Sequence, residues 1–169
     1  MDELAIALRI VHIVGGVFWV GGAALFFFFI EPTINKLGPD AERFVDEFIN
    51  RRKAPIYFVI ASTLSVIAGV ILYWRNFGGI ETTSAFGLAL GLGGVAALVA
   101  WLGGNLLIPQ TLGKVSGIVT EMKAVGGPPS DELVGRLHEA QQRLRLIGLI
   151  DIVLLTTAVI AMASARYLG

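Results

Sequence analysis

The chain has 169 residues, of which 55% are hydrophobic and 15% charged, whereas an ordinary soluble domain is about 25% charged. At a mean hydropathy of +0.76, a water-exposed surface would be apolar and prone to aggregate. This composition excludes a soluble enzyme, and it excludes disorder because so apolar a chain buries its surface. Thirteen Lys and Arg balance thirteen Asp and Glu, which gives no electrostatic reason to expect nucleic acid, and zero cysteines exclude disulfides, iron–sulfur clusters, c-type haem attachment and thiolate catalysis.

Crossing a hydrocarbon core of about 30 Å takes roughly 20 helical residues, and four segments qualify, at about 5–30, 56–74, 84–108 and 144–168. Lipid offers nothing to unpaired backbone groups, so each is predicted to be a helix. The expected fold is an all-α integral membrane four-helix bundle, a single domain over 1–169. The first segment follows Met1-Asp2-Glu3, which lacks a basic leader region, and it is too long for the apolar stretch of a cleaved signal, so it is expected to be retained.

The connection after it, Glu31 to Pro55, carries Lys36, Arg43, Arg51, Arg52 and Lys53. Phe44, Val45, Phe48 and Ile49 recur there at helical spacing and predict an amphipathic piece. The second segment shows Ser62, Ser65 and Gly69, and the third Gly87, Gly91 and Gly94, small residues that predict close helix contacts. From Pro109 to Arg145 come Lys114, Lys123, Arg136, Arg143 and Arg145, with a second apolar stripe at Leu133, Val134, Leu137 and Leu144. That stripe follows Pro128-Pro129-Ser130-Asp131-Glu132, a breaker, an N-cap and an acidic first turn.

These two connections hold ten basic residues, and the other side holds only Arg9, Arg75 and Arg166. The positive-inside rule then places both termini outside and the amphipathic pieces on the cytoplasmic side of a cell membrane, in keeping with a prokaryotic inner membrane. Tyr57, Tyr73, Trp74 and Tyr167 fall where an aromatic belt would lie. Trp19-x-Gly21-Gly22 before Pro32 recurs as Trp101-x-Gly103-Gly104 before Pro109. This suggests a tandem helical-hairpin repeat, 1–77 and 84–169.

Within the spans the polar inventory is short. His12, Gly15, Trp19 and Gly22 share one face of the first helix, with His12 roughly 10 Å below the outer surface. An imidazole at that depth is either a ligand or proton carrier, or makes an interhelical hydrogen bond to a hydroxyl or carbonyl. Met162 lies at a matching depth of roughly 9 Å, and a His12–Met162 pair would suit a haem of raised potential or a copper ion, the alternative being that Met162 fills core. Arg9 either meets an anionic group such as a haem propionate or snorkels to the interface.

Asp151 shares a face with Met162, about 10 Å from the inner surface. At that depth its carboxyl needs a partner, water or a proton. The partners available at comparable depth are Asn105, Ser62, Thr63 and Arg145, so Asp151 and Asn105 are read either as a proton relay or as a buried polar pair. A paired Asp151 predicts that Asp151→Leu costs about 1–2 kcal/mol. His138 lies on the order of 30 Å from His12, in a polar stretch with Arg136, Glu139 and Gln142, and is expected to be solvated.

The run His12-Ile-Val-Gly-Gly-Val-Phe-Trp19-Val-Gly21-Gly22, followed by Phe26 to Phe29 and Pro32, resembles the first helix of the membrane superfamily that contains copper-resistance protein D and HemJ-type protoporphyrinogen oxidase. The resemblance covers about 25 residues in detail and the four-span layout loosely. It implies a b-type haem associated with His12. The second histidine soon after the proline and the later lysine of HemJ-like patterns are absent, so only His12 takes over a family role.

Together these readings lead to a haem-associated redox or electron-transfer membrane protein in which His12 is the cofactor or metal ligand. They lead alternatively to a non-catalytic subunit or assembly factor of a membrane complex, and thirdly to a small transporter of copper or another solute. The expected partners are the lipid bilayer and a homo-oligomer or larger membrane complex, with no nucleic acid.

Overall fold

Each apolar segment begins at a residue suited to start a helix, and the computed structural model, which describes residues 2–80 and 83–168, uses those starts. Met1 and Gly169, the ends of the expected domain, lie outside the described residues. The Asp2 carboxylate accepts from the Ala5 N–H to open the first long helix, Glu3–Leu37. Lys53, in the left-handed region at φ 54°, turns the chain into Pro55 and the second, Ala54–Phe77, which Gly78 closes at φ 70°. Ser84 and Ser130 cap the third, Ala85–Ala124, and the fourth, Asp131–Ala165, by accepting from the N–H groups of Gly87 and Leu133. All four are long and apolar enough to cross a membrane, and no strand occurs among the described residues. The chain is a multi-pass membrane protein by this criterion.

The helices extend beyond the predicted segments. The third does not stop at Ile108 but continues to Ala124, about 60 Å in all at 1.5 Å per residue. The second apolar stripe is continuous with the fourth helix. Prolines 32 and 109 do not break the first and third helices because each follows a π turn. The Glu31 N–H bonds to Phe26 O and the Ile108 N–H to Gly103 O, five residues back rather than four. The wider turn moves the carbonyl that a proline ring would strike in α geometry.

Both π turns, Phe26–Ile30 and Gly103–Leu107, end two residues before their proline. The Trp-x-Gly-Gly motifs do not keep that register: Trp19 stands thirteen residues before Pro32 and Trp101 eight before Pro109. The spacing common to the two hairpins is therefore the π turn and proline, not the tryptophan.

Packing is pairwise, first helix with second and third with fourth, with thinner contacts joining the pairs. The seams are lined by small residues, as membrane helices require when close approach rather than water exclusion holds them together. They include Ala61, Ser62, Ser65 and Ala68 on the second helix and Gly87, Ala89, Gly93, Ala96 and Ala100 on the third. Of the expected stripe Gly87, Gly91, Gly94, Gly87 is buried and a Cβ on Gly91 would stand 3.2 Å from the Tyr73 hydroxyl, so only Gly94 is corrected. Gly94 faces open space, and the seam instead steps by four, three and four from Ala89 to Ala100, alanine serving as well as glycine.

Polar links bridge the pairs among the described residues. Trp101 Nε1 donates to Thr63 Oγ1 at 3.1 Å, and Asn105 Nδ2 to Ser62 Oγ at 3.4 Å. At the end of the bundle opposite the termini, Phe26, Phe48 and Phe44 stack in series and Phe27 packs over Gly148 of the fourth helix. The short helix Glu42–Asp46 and its following π turn are thereby seated against the first helix.

Candidate functional site

His12 is held in the seam between the first and second helices. Its Nδ1 lies 2.8 Å from the backbone oxygen of Ser65. A carbonyl only accepts, so Nδ1 carries the hydrogen, and in the neutral ring the lone pair lies on Nε2. Ser65 Oγ donates in return to the His12 carbonyl at 2.9 Å and lies 3.4 Å from Nδ1. Two helices thus exchange hydrogen bonds through one histidine and one serine.

The ring fits because residue 69 is glycine: a Cβ there would stand 2.8 Å from both Cε1 and Nδ1. The half-buried ring is therefore held by Ser65 and closely faced by Gly69, with no hydrogen bond on Nε2 among the described residues. Ser65 and Gly69 were legible in the sequence as small contact residues. Their grip on the ring was not, because it depends on the register of one helix against the other.

Among the described residues neither Met162 nor Arg9 is hydrogen-bonded to His12. Met162 sits over Gly93 in the seam of the third and fourth helices, where a Cβ on residue 93 would meet Met162 Cγ at 2.9 Å. Arg9 is exposed. His138 is exposed on the fourth helix and accepts from Gln142 Nε2 at 2.7 Å, away from the spanning bundle.

Asp151 is buried, at 9% exposure. The partners expected for it are engaged elsewhere. Asn105 Nδ2 donates to the Trp101 carbonyl at 2.8 Å as well as to Ser62, Ser62 itself donates to the Val59 carbonyl, and Thr63 accepts from Trp101. Arg145 is exposed and makes no ion pair with Asp151 among the described residues. Asp151 Oδ1 consequently has no hydrogen-bond partner among the described residues, and its near neighbour is Gly104 of the π turn, whose Cβ position would be 3.8 Å away. The expected Asp151–Asn105 pairing is corrected: the side chain of Asn105 serves the link between helix pairs.

The site is therefore two separate features, a clamped imidazole between the first two helices and an unpaired carboxyl between the last two. No group of three or more His, Asp or Glu side chains able to hold a metal ion occurs among the described residues. Compared with protein-family models, with curated proteins and with solved structures, the chain has no match in any of the three.

Proposed function

We propose that the chain is a membrane-embedded, haem-associated redox or electron-transfer protein in which His12 would hold the haem. The observation that carries the reading is the ring's hydrogen bonding. Nδ1 is committed to the Ser65 carbonyl and Nε2 is left with its lone pair and no hydrogen bond, the arrangement in which a ligating histidine is oriented and made more basic by a second hydrogen bond. The resemblance of the stretch from His12 to Pro32 to the superfamily of copper-resistance protein D and HemJ-type oxidase points the same way.

His12, with Nδ1 bonded to the Ser65 carbonyl and no hydrogen bond on Nε2, fits as the residue that would hold a b-type haem. Met162 packs over Gly93 in the other seam, and a second copy of the chain would be the source of any further ligand. A bound haem would supply one-electron chemistry. The chain's own contribution is to fix the ring through Ser65 and Gly69 and to surround it with apolar helix.

The basic residues of the two connections support an orientation with both termini outside a prokaryotic inner membrane. The absorption spectrum of detergent-purified protein after haem supplementation tests the function. A Soret band is expected that disappears in His12→Ala while helical circular dichroism is retained. A colourless wild-type protein overturns the reading.

A second reading, a non-catalytic subunit or assembly factor of a membrane complex, is favoured by a different observation. Only 11% of the most apolar window of the first long helix and 22% of that of each other is buried within the chain. Much apolar surface is thus free for other helices. Gentle extraction and mass spectrometry would find stable partners in this case and a lone monodisperse species in the other.

A further inference from the structure

The unpaired carboxyl of Asp151 belongs to a cavity. Between the third and fourth helices runs a groove of about 350 Å³, lined by Asp151 and by aliphatic side chains that include Val99, Leu102, Leu106, Ile147, Ile150 and Leu154. This volume lies in the range of small-molecule sites, which combine apolar walls with few polar anchors. Leu102 is 48% and Ile150 52% exposed within the chain, so the groove opens on the outer face of the bundle, which is the face lipid meets in a spanning helix pair.

A carboxyl oxygen shut into apolar surroundings without a donor is costly, and the nearby Asn105 amide and Ser62 hydroxyl donate elsewhere, to Trp101 and Ser62 and to Val59. Asp151 lines the groove, and with Oδ1 itself closed off a donor brought by a ligand would reach the carboxyl at its other oxygen. The lining contains no basic and no aromatic side chain. An anionic headgroup would find no countercharge, and a flat ring nothing to stack on. What remains complementary is an aliphatic body with a head that donates a hydrogen bond to an acceptor.

We propose that this groove is a binding site for a membrane-dissolved molecule with an aliphatic chain and a hydrogen-bond-donating head, an alcohol or an amine, anchored on Asp151. The site is independent of His12, which lies in the other helix pair. It opens to the bilayer, so its ligand enters sideways from the lipid. The π turn Gly103–Leu107 contributes to it directly: Gly103, Leu106 and Leu107 line the groove, and Gly104 backs the carboxyl.

The test uses the full chain in phosphatidylcholine vesicles and dicyclohexylcarbodiimide, an apolar reagent. The carboxylic acid adds across its N=C bond, and the O-acylisourea formed rearranges to a stable N-acylurea with nothing lost. A single adduct at Asp151 is expected by peptide mass spectrometry and is absent from Asp151→Asn. The rate of loss of the unmodified Asp151 peptide should fall about tenfold with dodecanol or dodecylamine present and stay unchanged with dodecane, any ester or amide formed by their attack on the O-acylisourea, with release of dicyclohexylurea, being counted as labelling. Which of the two protects distinguishes a neutral from a cationic head.

Should Asp151→Asn fail to fold, Leu102→Trp, which fills the groove while keeping the carboxyl, should slow labelling to a similar degree. Absence of any adduct at Asp151, equal protection by dodecane, or wild-type labelling of Leu102→Trp would each overturn the proposal. None of these readouts depends on haem, so a failure here leaves the His12 reading standing, and the converse holds.

Discussion

The two helix pairs are built alike, each a seam of small residues closed over one polar side chain, yet they treat that side chain in opposite ways. In the first pair His12 and Ser65 satisfy each other across the seam. In the second, Asp151 lies against Gly104 with Oδ1 unbonded. The difference teaches that close helix approach does not by itself pair buried polar groups. Register must bring donor to acceptor, and in the second pair it brings a carboxyl to a glycine and leaves the nearby amide of Asn105 linked to the second helix.

The largest effect is expected where the imidazole clamp is tightest. Gly69→Leu would push carbon into the His12 ring and should cost about 1–3 kcal/mol, the range for overpacking a close contact. The Soret band, where present, should go with it. Gly94→Leu, which faces open space, is the matched control and should show no loss. Thermal unfolding in detergent reads both, and equal melting temperatures for the two variants would show that the seam yields freely at residue 69.

A second experiment asks whether the two polar groups really differ. Replacing a satisfied group should destabilise and replacing an orphan should stabilise. His12→Leu is expected to lower stability by about 1 kcal/mol, within the range for interhelical hydrogen bonds in membranes. Asp151→Leu is expected to raise it by about 1 kcal/mol in ligand-free detergent, because no partner is left behind. The sign for Asp151 reverses the expectation from sequence. A lowered melting temperature for Asp151→Leu would mean that the carboxyl is paired after all.

The smallest effect sharpens the comparison at the membrane surface, where the first pair has an additional tie. Asp2 caps the first helix and pairs with Arg75 at the end of the second. The Ala5 N–H, and then the Arg75 guanidinium, hold its carboxyl below the ordinary value of 3.8. The folded-state value is depressed, so the contribution is fully present above the unfolded pKa of about 3.9 and disappears as pH falls through the lower folded value. Asp2→Asn keeps the cap and loses the pair. Its small deficit in melting temperature at pH 7 should vanish once the pH falls below the lowered folded-state value. A deficit unchanged at low pH would show that charge at Asp2 plays no part.

Composition and the length of the apolar runs determined that the chain is helical with four spans, because a backbone in lipid has no other way to satisfy itself along a single segment. The N-cap at Ser130 was equally legible, since capping is local chemistry. The sequence also singled out His12 and Asp151, because polar atoms stand out against so apolar a background. What each of them touches was decided only by tertiary structure. Ser65 meets His12 because of the register between the first two helices. Asn105 meets Ser62 and Trp101 instead of Asp151 because of how the third helix is rotated. The continuation of the third helix past Pro109 depends on a π turn that no residue in Gly103–Leu107 announces. Span identity follows from one-dimensional hydropathy, whereas partnership depends on rotation and offset between helices, and a shift of one residue turns a side chain by about 100° around its helix axis.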